Sequence, residues 1–451
     1  MSSALKRLGG SGSFARGVHP AGRKELAAEG GIEVVPTPAQ VAVPLLQHTG
    51  APCEPLVKPR QQVALGELIG KADAFVSAPV HASIAGTTQM PSVTTLPNGR
   101  HVRTIPIKAA EEQLSAAELW QDTFGGDWPT DGLDNYPPEQ IVEAVHAAGV
   151  VGLGGAAFPT HVKLTRNQAK PIDTLLVNGC ECEPYLTADY RLMLQAAEPI
   201  VAGGLLAARA AGAERIVIAI EDNKPAAAKR MAEAAEGTDV DVAIVKTKYP
   251  MGGERQVIPA VLDREVPTGG LPRDVGVVVV NVGTAAAIAA AVLRGRPLTH
   301  RIISVTGDGI AQPKNLLAPI GAGYGDLIAA CGGLKETAGR VIAGGPMMGF
   351  ALAELDVPVT KGTSGVVVLT KEQARSSEET ACIRCGRCVD VCPLGLVPTK
   401  IALACRHGDW ETARRYYLTA CIECGCCAYI CPAKIPLVQL MRMGKAMMPK
   451  K

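Results

Sequence analysis

Residues 173–189 read DTLLVNGCECEPYLTAD. A short apolar run ends at Asn178 and Gly179, and acids then alternate with cysteines before Pro184 and Tyr185. A buried strand that stops in residues of this kind marks the carboxyl edge of an α/β sheet, where ligands gather. Further strand-like runs follow at RIVIAIED (215–222), VDVAIVKT (240–247) and the valines after Val275. Between them lie helical patterns, RLMLQAAEPIVAGGLLAARAAG (191–212), KPAAAKRMAEAAEG (224–237) and GERQVIPAVLDRE (253–265). Strands alternating with helices predict a parallel sheet with covering helices, a Rossmann-like domain over 139–296. The uncharged stretch VGVVVVNVGTAAAIAAAVL (275–293) has the length of a membrane span. It breaks at Asn281, Gly283 and Thr284 into a β-branched run and an alanine-rich run, so it reads as buried strand, turn and helix.

Ahead of this sheet, GVVGLGGAAFPTHVKL (149–164) sets Gly152, Gly154 and Gly155 before Phe158 and Lys163. Glycines let backbone N–H groups approach a phosphate or a flat ring. The spacing is not GxGxxG, and by itself it describes a turn as well as a cradle. Asn178, Glu181 and Glu183 at the end of the neighbouring strand give it polar company. Cys180 and Cys182 lack cluster spacing and are expected to pack around the pocket.

Residues 31–110 carry short apolar runs broken by Pro and Gly, which predicts an all-β module after an N-terminal extension at 1–30. The pattern resembles the barrel-sandwich of biotinyl and lipoyl carriers, yet the PVHAS hairpin (79–83) offers no lysine for attachment, so a docking module is expected. A polar linker (111–138) leads into the α/β domain. After it come a compact β-grasp, SLBB-like unit (297–352), connecting strands (353–374), the cysteine-rich region (375–437) and a basic tail (438–451).

The cysteine-rich region repeats one spacing, CxxCxxCxxxCP, at CIRCGRCVDVCP (382–393) and CIECGCCAYICP (421–432). This ladder holds cubane iron–sulfur clusters in bacterial ferredoxins, with the fourth cysteine of each run crossing to the other cluster. The expected sets are Cys382, Cys385, Cys388 and Cys431 for one [4Fe–4S] cluster, and Cys421, Cys424, Cys427 and Cys392 for the other. Cys426 falls outside the frame, and Cys405 sits on the helical connection. The competing reading, a pair of zinc knuckles, asks for two separated CxxC pairs, often with histidine. Clusters of this type pass single electrons.

The 451 residues suggest a multidomain chain, and 45 basic against 43 acidic side chains give no basic surface for nucleic acid. An apolar fraction of 47% supports a folded core. The first twenty residues carry no apolar signal core, and the fourteen cysteines follow cluster spacing, which together predict a reducing compartment. The apolar, basic tail LMRMGKAMMPKK (440–451) is too short to anchor the chain and is expected to touch lipid or a partner.

Four stretches carry a resemblance: GLGGAAFPTHVKL, NGCECEPYLTADYRLM, YPMGGERQVI and LPRDVGVVVVNVGTAAAI. They are similar to the flavin domain shared by the NADH-oxidising subunit of respiratory complex I and the RnfC component of the Rnf electron-transport complex. With GVHP near the start, PLLQHTGAPCEPLVKP and CIECGCCAYICPAKIPLVQ, the likeness to the RnfC family spans nearly the whole chain. It implies noncovalent FMN held by Gly152, Gly154, Gly155, Lys163, Asn178, Glu181, Gly253, Glu254, Asn281 and Thr284, with Phe158 and Glu183 facing NADH. Lys163 is the expected charge near the flavin. One departure is Arg255, which stands where the complex I protein has a second acid. The implied function is electron input to a membrane-bound NADH:ferredoxin oxidoreductase whose partner subunits move ions, from a peripheral place on the cytoplasmic side of the bacterial inner membrane. NADH gives up two electrons together and a cubane accepts one, so a flavin must stand between them. A relative that shares the flavin and cluster parts, the cobalamin reductase of propanediol-utilising microcompartments, is the alternative; it typically begins near its glycine loop. A cluster-bearing scaffold that binds no nucleotide is the reading from another class.

Overall fold

The computed structural model describes residues 9–375 and 377–449. The parallel sheet stands where the alternation placed it. Its order is Val240–Val245, Arg215–Glu221, Thr174–Asn178, Val277–Asn281, with every neighbouring pair parallel. The central strands are buried on both faces, which explains continuous apolar runs in place of alternation. Helices Ala197–Ala211 and Val282–Arg294 pack closely, because Gly203 lies against the backbone of Ala285 where no Cβ would fit. The 275–293 stretch resolves into the strand Val277–Asn281 and, with no intervening turn residue, the helix Val282–Arg294. Among the described residues no helix is long and apolar enough to cross a membrane.

Register matters most at the sheet's carboxyl edge. Thr174 pairs with Val277 and the match runs in step to Asn178 opposite Asn281, so two asparagines end neighbouring strands side by side.

The N-terminal module is built from two small sheets, one ordered Gln40–Pro44, His101–Ala109, Gly86–Thr88, Gln62–Val63 and the other Glu54–Pro55, Leu68–Lys71, Val80–His81. They enclose one apolar core. The module docks on the glycine loop: Thr49 donates through its backbone to Ala157 O at 3.2 Å and through its hydroxyl to Ala156 O at 3.2 Å.

The β-grasp unit is larger than the sequence boundaries suggest. Its six-stranded sheet runs Ile32–Val34, Lys314–Pro319, His300–Thr306, Gly365–Thr370, Ala338–Ala343, Phe350–Ala351. Gly365–Thr370, expected as one of the connecting strands, is a central strand of this sheet, and Ile32–Val34, expected in the N-terminal module, is an edge strand. Both corrections have one cause: a short apolar run does not declare which sheet will cover it.

The cluster region is helical. Helices Pro398–Arg406 and Leu437–Met447 pack together, burying Leu437, Val438 and Met441. Most of the supposed tail is therefore a wall of this domain; its last two residues, like the first eight of the chain, lie outside the described residues.

Candidate functional site

The glycine loop is a closed device. Gly152 N donates to Phe158 O at 2.8 Å and Ala157 N to Gly152 O at 3.1 Å, drawing the loop's two arms together. Its tip is tied to the head of the neighbouring helix, where the buried Thr284 hydroxyl accepts from Leu153 N at 2.8 Å. From the other side, the buried guanidinium of Arg301 donates to Leu153 O at 2.5 Å and to Thr363 O at 2.7 Å. Gly155 has φ +111° and open space beyond its Cα, a backbone position that L side chains rarely adopt and a surface a Cβ would fill. Gly154 lies 3.5 Å, at its would-be Cβ, from Asn281.

Around this cradle the structure gathers most of the expected flavin residues. Lys163 Nζ donates to Glu254 Oε1 at 2.7 Å and to Val279 O at 3.2 Å, joining the loop's helix to the sheet edge. Gly253 caps the helix Glu254–Leu262, whose first residue is Glu254. Asn178 donates to Gly252 O at 2.8 Å and accepts from Cys180 N at 3.0 Å. Asn281 caps the helix Val282–Arg294, accepting from Gly283 N at 2.9 Å. That helix end presents N–H groups and a positive dipole end to the cradle, a surface suited to an anionic group. Asn178, Asn281, Lys163, Glu254 and Phe158 remain only partly covered. A glycine cradle open at Gly155, a helix head and a lysine together fit a flavin nucleotide, whose phosphate is anionic and whose ring is flat.

Two acids have other partners. Glu181 accepts from Asp189 N at 3.0 Å and Tyr190 N at 3.2 Å, capping the helix Ala188–Gln195. Glu183 accepts from Met347 N at 3.1 Å and Met348 N at 2.9 Å, fastening the loop between Ala343 and Phe350 to the α/β domain. Burial pushes the Glu183 carboxyl up to about 7. The strand-end loop is held from beneath by the partly covered Lys24, which donates to the carbonyls of Glu181, Glu183 and Leu186 at 2.6, 2.9 and 2.6 Å. Arg255 turns away and donates to the carbonyls of Val266, Pro267 and Gly270. Cys180 is buried against Ala219 O, and Cys182 accepts from Gly252 N at 3.4 Å.

The two cysteine runs share one backbone shape. Arg384 and Gly386 flank Cys385 with φ of 55° and 78°, and Glu423 and Gly425 flank Cys424 with φ of 57° and 85°. A helix then starts at Arg387 in one run and at Cys426 in the other. Cys426 is therefore the positional counterpart of Arg387, and Cys427 that of Cys388. Successive left-handed and right-handed residues turn backbone N–H groups inward around an anionic sulfur centre. A cavity in this region is lined by five cysteines, Cys392, Cys421, Cys424, Cys426 and Cys427. Four of the five, Cys392, Cys421, Cys424 and Cys427, make up one of the sets expected from the ferredoxin crossing rule, and Cys426 stands among them. Cys382, Cys388 and Cys431 pack in the same apolar core as Cys421 and Cys427, and Cys385 is exposed. Among the described residues no three such groups converge as tightly as one metal ion requires; a cubane asks for a wider set, with thiolates spread over its corners. Cys405 is buried in the helical core.

The flavin side and the cysteine side meet around Tyr249. Tyr249, 2% exposed, donates its hydroxyl to Cys424 O at 2.6 Å. It stands three residues before Gly252, which binds both Asn178 and Cys182. Gly425 fits under Met347 O, where a Cβ would come to 2.7 Å. Arg442 ties Glu423 at 3.0 Å to Met348 O at 2.7 Å.

Comparisons with known proteins follow the same divisions. Residues 145–290 match the Nuo51 FMN-binding domain, 12–112 the RnfC barrel sandwich hybrid domain, 302–351 the SLBB domain and 378–396 the 4Fe-4S binding domain. The RnfC-type component of the proton-translocating ferredoxin:NAD(+) oxidoreductase complex of Clostridium ljungdahlii is 42% identical over 90% of this chain and 87% of its own length. Its counterpart in the Na(+)-translocating ferredoxin:NAD(+) oxidoreductase complex of Acetobacterium woodii is 43% identical over 96% of both chains. The counterpart in the ion-translocating oxidoreductase complex of Rhodobacter capsulatus is 43% identical over 96% of this chain and 82% of its own. The match to these relatives runs through the barrel sandwich as well as the flavin and cluster regions, and the chain belongs to the RnfC family, a component of ion-translocating ferredoxin:NAD(+) oxidoreductase complexes.

Proposed function

We propose that the chain exchanges electrons between NADH and the other subunits of such a complex through FMN in the glycine cradle and two [4Fe–4S] clusters. The observation that carries this reading is the buried contact of Tyr249 with Cys424, which joins the flavin loops directly to one cysteine set. FMN supplies the conversion between a two-electron hydride and single electrons. The protein's part is placement. Gly152, Gly154 and Gly155 give the backbone surface on which the cofactor lies; Lys163 and the head of Val282–Arg294 supply positive potential beside it; Asn178, Asn281 and Glu254 border it; and Phe158 is partly exposed where the nicotinamide nucleotide approaches. The set Cys421, Cys424, Cys427 and Cys392 is the entry cluster. The set that includes the exposed Cys385 faces outward and is the exit toward a partner protein. The chain sits peripherally on the cytoplasmic side of the membrane, held by partners. The cobalamin-reductase alternative gains nothing from the barrel sandwich that precedes the glycine loop here.

Variants of one ligand in each set test the order. Cys385→Ser leaves NADH reduction of the entry cluster in place, followed by freeze-quenched electron paramagnetic resonance, and slows delivery to an external one-electron acceptor. Cys424→Ser stops NADH from reducing the exit cluster. The reverse pattern would overturn the assignment.

A further inference from the structure

Asp189 carries no signal in the sequence beyond its place in LTADYR, yet the fold brings it against Asn281 of the cradle. It lies in the first turn of the helix Ala188–Gln195 and keeps part of its surface uncovered. Asn281 Nδ2 donates to Asp189 Oδ2 at 2.6 Å, while the other end of the same amide accepts from Gly283 N at 2.9 Å. An amide held at both ends has one orientation. Asp189 thus decides which face Asn281 turns toward Gly154 and the helix head.

We propose that Asp189 is a positioning residue of the flavin site, orienting the Asn281 amide and making FMN retention depend on whether its own carboxyl is protonated. The inference rests on the FMN reading of this cradle. Its geometry is a cluster of charges drawn from four elements. Glu181, from the strand-end loop, accepts from the Asp189 backbone at 3.0 Å. Arg301, from His300–Thr306, faces both acids, while its own hydrogen bonds go to Leu153 O and Thr363 O. Lys224, at the start of Pro225–Ala234, acts from farther off and is paired with Glu221. Asn281 completes the ring. Two neighbouring carboxyls resist ionising together. Desolvation first, and then the charge of Glu181, raise the Asp189 carboxyl to about 7. A proton on Oδ1 leaves Oδ2 free to accept from Asn281, so orientation and neutrality coexist below that pH. Above it the cradle gains a negative charge beside an anionic ligand.

The test is the FMN dissociation constant of flavin-stripped protein, read by quenching of FMN fluorescence from pH 6 to 8.5. Wild type is expected to weaken roughly tenfold across that range, one pH-unit equivalent of lost interaction. Asp189→Asn keeps an acceptor for Asn281 and carries no charge, so it should bind as wild type does at pH 6 and stay flat with pH. Asp189→Ala should bind roughly tenfold more weakly at every pH, the loss of one hydrogen bond. A pH slope in Asp189→Asn equal to that of wild type would overturn the proposal, whatever the alanine variant does. A wild type that binds no FMN at any pH would overturn the FMN reading of the cradle, and this inference with it.

Discussion

Single residues decide how the two halves of the site are joined. The family likeness leads one to expect Glu183 to face the nicotinamide nucleotide, and the structure gives both its oxygens to the backbone of Met347 and Met348. Glu183→Ala removes these acceptors and leaves two amides unpaired, at a cost of about 1–3 kcal/mol. Limited proteolysis should then cut within 344–350, with NADH affinity little changed if the latch is its whole role. A tenfold or larger rise in the NADH dissociation constant, with the loop still protected, would restore the nucleotide role. The same acid carries a pH signature. Its folded carboxyl titrates near 7, above the ordinary 4.5, so the folded state holds the extra proton in between, and stability is lost as pH rises from about 4.5 to 7. Glu183→Gln should flatten that part of a thermal-stability profile. The cysteines make a second residue-scale test. Cys426 corresponds in backbone to Arg387, so Cys426→Ser should keep its iron while Cys424→Ser loses a cluster. Equal iron loss in both would refute the register.

At the scale of elements, the glycine loop is held by parts of the chain distant in sequence. Lys361, 1% exposed, donates to Pro79 O and Gly149 O at 2.7 Å each, so one ammonium ties the β-grasp unit to the N-terminal module and to the start of the loop. Burial lowers it to about 7. Lys361→Met strands both carbonyls, at about 1–3 kcal/mol each, and should lower the melting temperature and loosen FMN together. Here the sign of the pH effect is opposite to that of Glu183. The unfolded lysine binds the proton more tightly, so the contribution improves as pH rises from about 7 toward 10, and the variant should lose that rise. This tie is not legible in the sequence, because a lysine in VPVTKGTSG has no periodicity and no motif. What sequence does disclose is what period and spacing encode. The parallel strands announce themselves as apolar runs ending in Asn178 and Asn281, and the cysteine frames as a repeated interval. The edge strand Ile32–Val34 and the central strand Gly365–Thr370 do not, since three to six apolar residues do not say which sheet receives them. Asp189 is hidden for a similar reason: an acid in a helix's first turn is ordinary by itself, and only the fold brings Asn281 to it.

Across the whole molecule, the family relation and the lack of a spanning helix among the described residues bear on how the chain meets its membrane complex. The helix Leu437–Met447 turns its apolar side into the cluster domain, leaving Met443 and Met447 exposed. We expect the isolated chain to leave membranes in a carbonate wash once partner proteins are gone; retention would show an anchor of its own. The central claim is that electrons from NADH reach the cysteine clusters only by way of the flavin cradle. It is tested most directly on anaerobically purified protein stripped of FMN, with iron content confirmed, and then mixed with NADH while cluster absorbance is followed. We predict no bleaching by NADH, full bleaching by dithionite, and recovery of the NADH response when FMN is returned. Bleaching by NADH in the flavin-free protein would contradict the claim, since no other group in the chain converts a hydride into single electrons.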